Sequence, residues 1–325
     1  MNNPTVSVII PVYNGALLVC RCLDSVFSQN GNFDVEVIVI DDGSTDNSID
    51  IINQYTQKIL LIQQSNQGPA AARNKGIEAA TGKYLAFLDA DDYWKPDFLK
   101  ETISFLDANS ELVAVTVGQV HNTVSSKDNV HPKLLTFNQT KYSEPFIIDD
   151  FFKLWKDQQL VCTGSVLMKT SLAKKIGGQR EDLRITEDIE FWACIAVLGK
   201  WGFIPKILFV SDGNMITKNI GWIEKNRKRW ESAQPIEIWE ERILDFAKDQ
   251  IPNSYYGYRG KIMKNIIYSM IMSKRINASY NLISKNRKQL PNDNLSKLYV
   301  LFSFNKLFWN IMAYFLIKRE YMRKI

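Results

Sequence analysis

Three carboxylates, Asp89, Asp91 and Asp92, follow the apolar run in YLAFLDADDYWKPDFL, residues 84–99. The run from Tyr84 to Leu88 reads as a buried strand bounded by charge. Clustered carboxylates repel one another, so folding alone gives no reason to gather them at the end of such a strand. Asp89-Ala90-Asp91 is also a spaced pair, and alternate residues of an extended segment share a side. Two hard oxygen donors placed together suit Mg²⁺ or Mn²⁺, with phosphate oxygens and water as the other ligands. The plainer account is a solvated turn with Asp92 or Asp97 as a helix cap.

Three further stretches carry chemistry. VIVIDDGSTDNS, residues 37–48, ends a β-branched run in Asp41 and Asp42 before a turn. An Asp there can accept the N–H of a uracil-type base or a ribose hydroxyl, and Ser44 or Asp46 can cap the next helix. Thr186-Glu187-Asp188 opens an amphipathic segment, where the helix dipole favours anions, although acids are routine in a first helical turn. Asn226-Arg227-Lys228-Arg229-Trp230 is either a solvated basic helix face or a place where an aromatic ring and guanidinium groups meet a ligand.

The first hundred residues alternate strand and helix in a way that positions these groups. Strands are expected at 6–13, 35–41, 59–64 and 84–88, with helices at 16–28, from the DGSTDNS turn to about 57, at 68–80 and at 97–107. Such alternation implies βαβ units and a mostly parallel sheet, whose ligands bind beyond the carboxyl ends of the strands. Pro11-Val12-Tyr13, Asp41-Asp42 and Asp89-Ala90-Asp91 then fall on one edge. Strands are also expected at 111–120 and 165–169, a polar excursion at 121–145 and a helix at 185–198. After Asp212 the chain reads as helical and basic, broken near Pro235, Pro252 and Pro291.

The totals narrow the class. The 325 residues are 46% hydrophobic and 23% charged, enough for one large domain or two. A formal charge of +5 is mild for this length and gives no case for nucleic acid. Cys20, Cys22, Cys162 and Cys194 have no metal-ligand spacing and read as reduced core residues of a cytoplasmic protein. His121 and His131 sit in a polar stretch without ligand partners, so zinc chemistry is not expected. MNNPTVSVIIPVYN lacks the basic start of a signal peptide, and no clean run of 18 apolar residues occurs.

VSVIIPVYNG, VIVIDDGSTDNS, NQGPAAARNKG, YLAFLDADD and TEDIEFW occur in the order and spacing of the family 2 glycosyltransferases, which the chain resembles over about residues 5–212. The resemblance implies an α/β GT-A fold, a Rossmann-like mostly parallel sheet, here with a helical C-terminal extension. It implies an inverting transfer from a nucleotide sugar, usually a UDP-sugar, with Mn²⁺ or Mg²⁺. By motif, Pro11, Tyr13 and Asp42 would line the nucleoside pocket with Asp41 beside them, and Arg73 would approach the nucleotide. Asp89 would face the ribose or donor sugar, and Asp91, with Asp89, the metal. An inverting transferase needs a carboxylate to take the acceptor's proton. The resemblance points to Asp188, with Glu187 beside it. Residues 226–230 resemble the QRxRW segment of processive polysaccharide synthases, in which Trp230 would stack on an acceptor sugar and Arg229 meet the diphosphate. Asn226 replaces the Gln, and the flanking transmembrane helices are missing.

The expected organisation is a catalytic domain at 1–215, with a nucleotide-binding half at 1–110 and an acceptor half at 111–215, then a helical basic region at 216–325. The tail at 298–324 is the most apolar part, with Ser303, Lys306 and Asn310 at the spacing of one helical face. It reads as an interfacial segment whose Lys318, Arg319, Arg323 and Lys324 meet anionic headgroups, or as a helix packed on protein. The implied partners are a nucleotide-sugar donor, a glycan or polyprenyl-diphosphate-linked acceptor, and the inner face of the plasma membrane. A sugar-nucleotide nucleotidyltransferase would want a Gly-rich, basic phosphate loop after the first strand, which IPVYNGALL does not offer. A non-catalytic nucleotide-binding module would tolerate a broken DxD or TED, and both are intact.

Overall fold

The computed structural model of the chain describes residues 4–123, 126–133, 135, 143–212, 221–248 and 250–322. It separates into two compact units, Met1–Arg180 with Phe191–Ile216, and Glu181–Glu190 with Thr217–Ile325. The first unit holds the sheet. β1 (Val6–Val12), β2 (Val35–Asp41), β3 (Ile59–Gln63) and β4 (Tyr84–Phe87) lie parallel in the order β3-β2-β1-β4. Val37, Ile38, Val39 and Ile40 are all buried, because both faces of the sheet are covered and the apolar run need not alternate.

The intervening helices are α1 (Val19–Phe27), α2 (Ser48–Ile52) and α3 (Pro69–Ala79). Two are shorter than the sequence suggests. α1 starts at Val19 instead of Ala16 because the preceding backbone is bound sideways: Gly15 N–H donates to Ser48 Oγ at 2.9 Å and Ala16 N–H to Asp46 Oδ2 at 3.0 Å. α3 lies directly on β1 because Gly76 has no side chain; an added Cβ would fall 2.3 Å from Ile9 Cγ2.

Beyond β4 the sheet becomes mixed. β5 (Tyr93–Trp94), β6 (Leu112–Thr123), β7 (Ser126–His131), β8 (Phe146–Ile147), β9 (Val166–Lys169) and β10 (Lys200–Asp212) continue it in the order β4-β9-β6-β10-β5. β9 is antiparallel to both β4 and β6, β10 is parallel to β6, and β7 and β8 pair with β6 and β10. The helices here are α4 (Phe98–Ala108), α5 (Phe151–Asp157), α6 (Thr170–Lys175) and α7 (Glu187–Ala196). β10 was not expected, because Pro205 interrupts its apolar run. The strand absorbs that proline at a register shift between Ile204 and Ile207. The supposed polar excursion at 121–145 includes the end of β6 and all of β7; residues 124–125, 134 and 136–142 lie outside the described residues. Cys22 and Cys194 are core residues, whereas Cys20 faces solvent, off the buried stripe of α1.

The second unit is a helical bundle of α8 (Gly221–Glu231), α9 (Ile236–Ala247), α10 (Asn253–Met272), α11 (Ile276–Asn286), α12 (Asn294–Phe302) and α13 (Lys306–Met322). Pro235 and Pro252 stand at the N-caps of α9 and α10, as the expected breaks require. Ile262, Met263, Ile266, Ile267 and Ile271 of α10 are buried, along with Trp239, Tyr299 and Trp309 from other helices. Trp309 Nε1–H donates to Ser279 Oγ at 3.0 Å, tying α13 to α11. The tail is not one helix. It breaks at 303–305, where Arg287 donates to Ser303 Oγ and to the Ser303 carbonyl, and Asn305 Oδ1 accepts the N–H of Leu307. Ser303, Lys306 and Asn310 therefore do not form a single helical face.

Candidate active site

Parallel pairing brings the strand ends together. Val12 lies opposite Asp41 in the β1–β2 register, and Leu88 N–H, just past β4, donates to the Ile9 carbonyl. Pro11, Tyr13, Asp41, Asp42 and the Asp89–Asp92 segment thus share one edge, as the sequence suggests. Tyr13 is 54% exposed there, whereas Asp41 and Asp42 are buried. Asp42 is heavily engaged. Its Oδ1 accepts Gln64 Nε2 and Gln67 N–H, its Oδ2 accepts Gly68 N–H, and all three contacts are 2.8 Å. Among the described residues the Asp41 carboxylate accepts only the Ser44 N–H, at 3.3 Å from each oxygen, and keeps more acceptor capacity. Asp42 thus fastens the entrance of α3, and Asp41 is the better placed of the two to receive a ligand donor.

The DxD carboxylates are grouped by a turn, not by strand alternation. Asp92 N–H donates to the Asp89 carbonyl at 2.9 Å, folding the segment back after β4. Arg73, buried on α3, pairs with Asp89 Oδ1 at 2.6 Å and places its guanidinium over the Phe87 ring. Arg21 donates to the Asp91 carbonyl at 2.7 Å, pairs with the Asp212 carboxylate, and stacks over Tyr93. Asp92 accepts the N–H of Asp212 at 3.1 Å. Burial, then repulsion from Asp89, raises the Asp91 carboxyl above its usual range. Burial, with the charges of Asp89 and Asp91, pushes Asp92 up to about 8. The buried Cys22 thiol is raised too, by burial first and then by the same aspartates.

In the second unit, the start of α7 carries Glu187, Asp188 and Glu190. Glu190 is fully buried and takes both Nε and Nη2 of Arg242, the former at 2.7 Å. Asp188 is half-buried, and its charge, after burial, helps raise the phenol of Tyr258. Glu187 is buried; Arg229 of α8 lies 4.0 Å from its Oε1 and donates to the Arg184 carbonyl at 3.3 Å. Trp230 meets Tyr268 edge to face, with ring centroids 6.1 Å apart. Glu187, Asp188, Arg229 and Trp230 therefore belong to one compact unit.

The sequence model described as Glycosyl transferase family 2 matches residues 7–177, from β1 through the Asp89–Asp92 turn to the end of α6. The chain belongs to that family. An uncharacterized glycosyltransferase of Rickettsia typhi, RT0329, is 27% identical over 319 residues, 88% of this chain and 98% of that protein. The chain spans only about a third of the length of curated relatives that it matches at 39% and 46% identity. Among solved structures, S. aureus TarS 1-349 in complex with UDP-GlcNAc aligns over 98% of this chain and 92% of its own, at 18% identity and a TM-score of 0.62. Mannosyltransferase PcManGT from Pyrobaculum calidifontis in complex with GDP-Man and Mn2+ aligns over 98% and 88%, at 19% identity and a TM-score of 0.52. These likenesses establish the GT-A fold.

In this family member several residues at the strand edge escape a motif reading. Gln179 is buried, receives Arg73 Nη1 on its side-chain oxygen, and exchanges hydrogen bonds with the Asn74 amide. Its signal was Gly177-Gly178, both with positive φ, which swing the chain back onto α3. Gln64, Arg21 and Asp212 left no signal of their own, because their partners are distant in sequence. The charge balance suits a cation: Asp91 feels the charges of Asp89 and Asp212, Asp92 those of Asp89 and Asp91, and Arg73 and Arg21 form ion pairs with Asp89 and Asp212. Among the described residues no group of three or more His, Cys, Asp or Glu forms a closed cage. The donor set fits a divalent ion that takes one or two protein oxygens and draws its other ligands from substrate.

Proposed function

We propose that this chain is an inverting glycosyltransferase, moving a sugar from a UDP-sugar to a glycan or polyprenyl-diphosphate-linked acceptor during cell-surface polysaccharide synthesis at the inner face of the plasma membrane. The observation that carries the reading is the carboxylate-rich turn at Asp89–Asp92, set at the carboxyl edge of a parallel sheet in a member of glycosyl transferase family 2. Nucleotide or nucleotide-sugar ligands in the TarS and PcManGT structures, and Mn2+ in the latter, support it.

In this reading Pro11 and Tyr13 flank the nucleoside. Asp41 accepts a base N–H or ribose hydroxyl, while Asp42 holds the loop that shapes the pocket. Arg73 holds Asp89 by an ion pair and orients it toward the ribose or donor sugar. Asp91 and Asp89 would hold a divalent cation, Mn²⁺ or Mg²⁺, which would supply charge neutralisation for the departing diphosphate. Asp188 takes the proton of the acceptor hydroxyl. The hydroxyl oxygen bonds to the anomeric carbon as the bond from that carbon to the phosphate oxygen breaks, and the nucleoside diphosphate leaves. Glu187 supports Asp188, Arg229 offers charge to the diphosphate, and Trp230 offers a ring face to the acceptor sugar.

Calorimetric titration with UDP, in EDTA and then in Mn²⁺ or Mg²⁺, tests the donor half. Binding is expected only with metal, and Asp91→Ala should weaken it. An Asp91→Ala chain that, in EDTA, binds UDP as tightly as wild type does with metal refutes the metal assignment. Asp188→Asn should keep UDP affinity and cut sugar transfer by about 10²–10⁴. Turnover within a few-fold of wild type removes Asp188 from that role.

A further inference from the structure

Helix α13 is apolar on two sides, and only one of them is covered. Trp309, Met312, Ala313 and Leu316 are buried in the bundle. Leu307, Phe308, Ile311, Tyr314, Phe315 and Met322 are exposed, by 43–64%. At 3.6 residues per turn the exposed set falls within an arc of about 120°, and the buried set occupies the opposite arc. Leu301, at 67%, and Phe304, at 70%, extend the patch from the end of α12. Eight of the fourteen exposed large hydrophobics among the described residues thus lie within residues 301–322. Scattered exposed apolar residues are ordinary, but a contiguous face of this kind marks an interaction surface.

The segment that carries the patch is basic, and that bears on what covers it. From Lys285 to Met322 the sequence has seven basic residues, Lys285, Arg287, Lys288, Lys297, Lys306, Lys318 and Arg319, against two acidic ones, Asp293 and Glu320. Arg287 also lies over the Phe304 ring, 4.7 Å from its centroid. Two such faces packed together would bring like charges into apposition, which disfavours a second copy of the chain. An anionic phospholipid surface offers apolar depth to the rings and negative charge to the rim. Lys318 lies on the outer arc itself, where a long stem can bury its methylenes and keep its ammonium among headgroups. No described helix is long and apolar enough to cross a membrane, so the fitting geometry is one in which α13 lies along the surface.

We infer that the outer face of α13, continued by Leu301 and Phe304, docks the second unit onto an anionic phospholipid surface while the inner face stays packed in the bundle. A packed helix and a membrane-facing helix are here the same helix. Deleting the tail would therefore strip the bundle of Trp309 and its neighbours, so the test uses surface exchanges. The inference rests on the second unit alone and is read without sugar transfer.

The full chain is sedimented with phosphatidylcholine vesicles and with phosphatidylcholine–phosphatidylglycerol vesicles, at low and high salt. Wild type should bind the anionic vesicles more tightly, and more weakly as salt rises. Combined Phe308→Ser and Phe315→Ser should weaken that binding by about tenfold or more, given the apolar area of two rings, with circular dichroism unchanged. Combined Lys306→Glu and Lys318→Glu should lose the preference for phosphatidylglycerol, a readout that holds even if the serine variant misfolds. Retained binding by a folded serine variant, or no vesicle binding by wild type, overturns the proposal. So does a lipid-free wild-type dimer that the serine exchanges render monomeric, since a second copy would then own the face.

Discussion

Replacing Asp42 separates a structural carboxylate from a ligand carboxylate. In Asp42→Ala three donors lose their acceptor at once: the side-chain amide of Gln64 and the backbone N–H groups of Gln67 and Gly68. A buried N–H left unmade costs about 1–3 kcal/mol, and bonds to a charged acceptor stand at the upper end. Gln64 can turn toward water, so the two backbone donors dominate. Gln67 is exposed and Gly68 half-buried, so water reaches part of what Asp42 releases, and the expected loss is about 2 kcal/mol. For a domain of this size each kcal/mol moves the melting temperature by about 2–4 °C, so the first unit should melt roughly 4–8 °C earlier. Asp42→Asn keeps the shape and one acceptor oxygen, and should fall between the two. Hydrogen exchange gives the local readout, with the amides of Gln67 and Gly68 losing protection ahead of the sheet. If Asp42→Ala melts with wild type and those amides stay protected while UDP affinity falls, the reasoning is wrong and Asp42 is a ligand group.

Two other expectations follow from buried charge. Arg242→Ala removes the bidentate partner of the fully buried Glu190 and should cost the helical unit about 3–5 kcal/mol, with Glu190→Leu/Arg242→Leu recovering most of it in denaturant titrations; a loss below 1 kcal/mol would sink the argument. Burial, with a smaller push from His131, lowers His121 from 6.5 to about 4, so its neutral form is favoured in the fold. The stability tied to it is then present above the unfolded value and lost as pH falls from about 6.5 toward 4. Because the ring is partly exposed, we expect roughly 1–2 kcal/mol, read as the wild-type minus His121→Gln difference across that range. A flat difference profile would refute it, and the opposite drift contributed by Asp92 cancels in the subtraction.

Strands whose signal is local were readable. β2 is a run of branched residues ended by two acids, and its bounds are as expected. The three acidic or aromatic strand ends share an edge because parallel pairing requires it. Where a residue's role depends on a distant partner, the sequence was silent. Arg21 is an unremarked cation in a helix until β10 delivers Asp212, 191 positions later. β10 itself was hidden by Pro205, which only a register shift accommodates. The tail misled for another reason. Hydropathy counts apolar residues and does not say which neighbour each one faces, so a helix with a packed face and a bare face looks like one continuous apolar stretch. The break at 303–305 is set by Arg287 and Asn305, not by any helix-breaking residue type. Arg323 and Lys324, expected to add to the basic rim, lie outside the described residues.

The acid cluster at the strand edge was legible as a problem before it was legible as a site. Its sequence shows three aspartates that ought to repel, and the fold adds a fourth, Asp212, to the neighbourhood. Arg73 and Arg21 answer part of that charge, and each does so by reaching out of a helix that the sheet has already positioned. Arg73 meets a DxD carboxylate directly. Arg21 donates to the Asp91 carbonyl within the turn and pairs with Asp212, and among the described residues the Asp91 carboxylate takes no hydrogen bond from that guanidinium. Had folding stability been the sole constraint, an arginine this close would gain more by pairing with Asp91 itself. Holding the turn by its backbone while leaving its carboxylate open accords with the proposed role of Asp91 toward a cation.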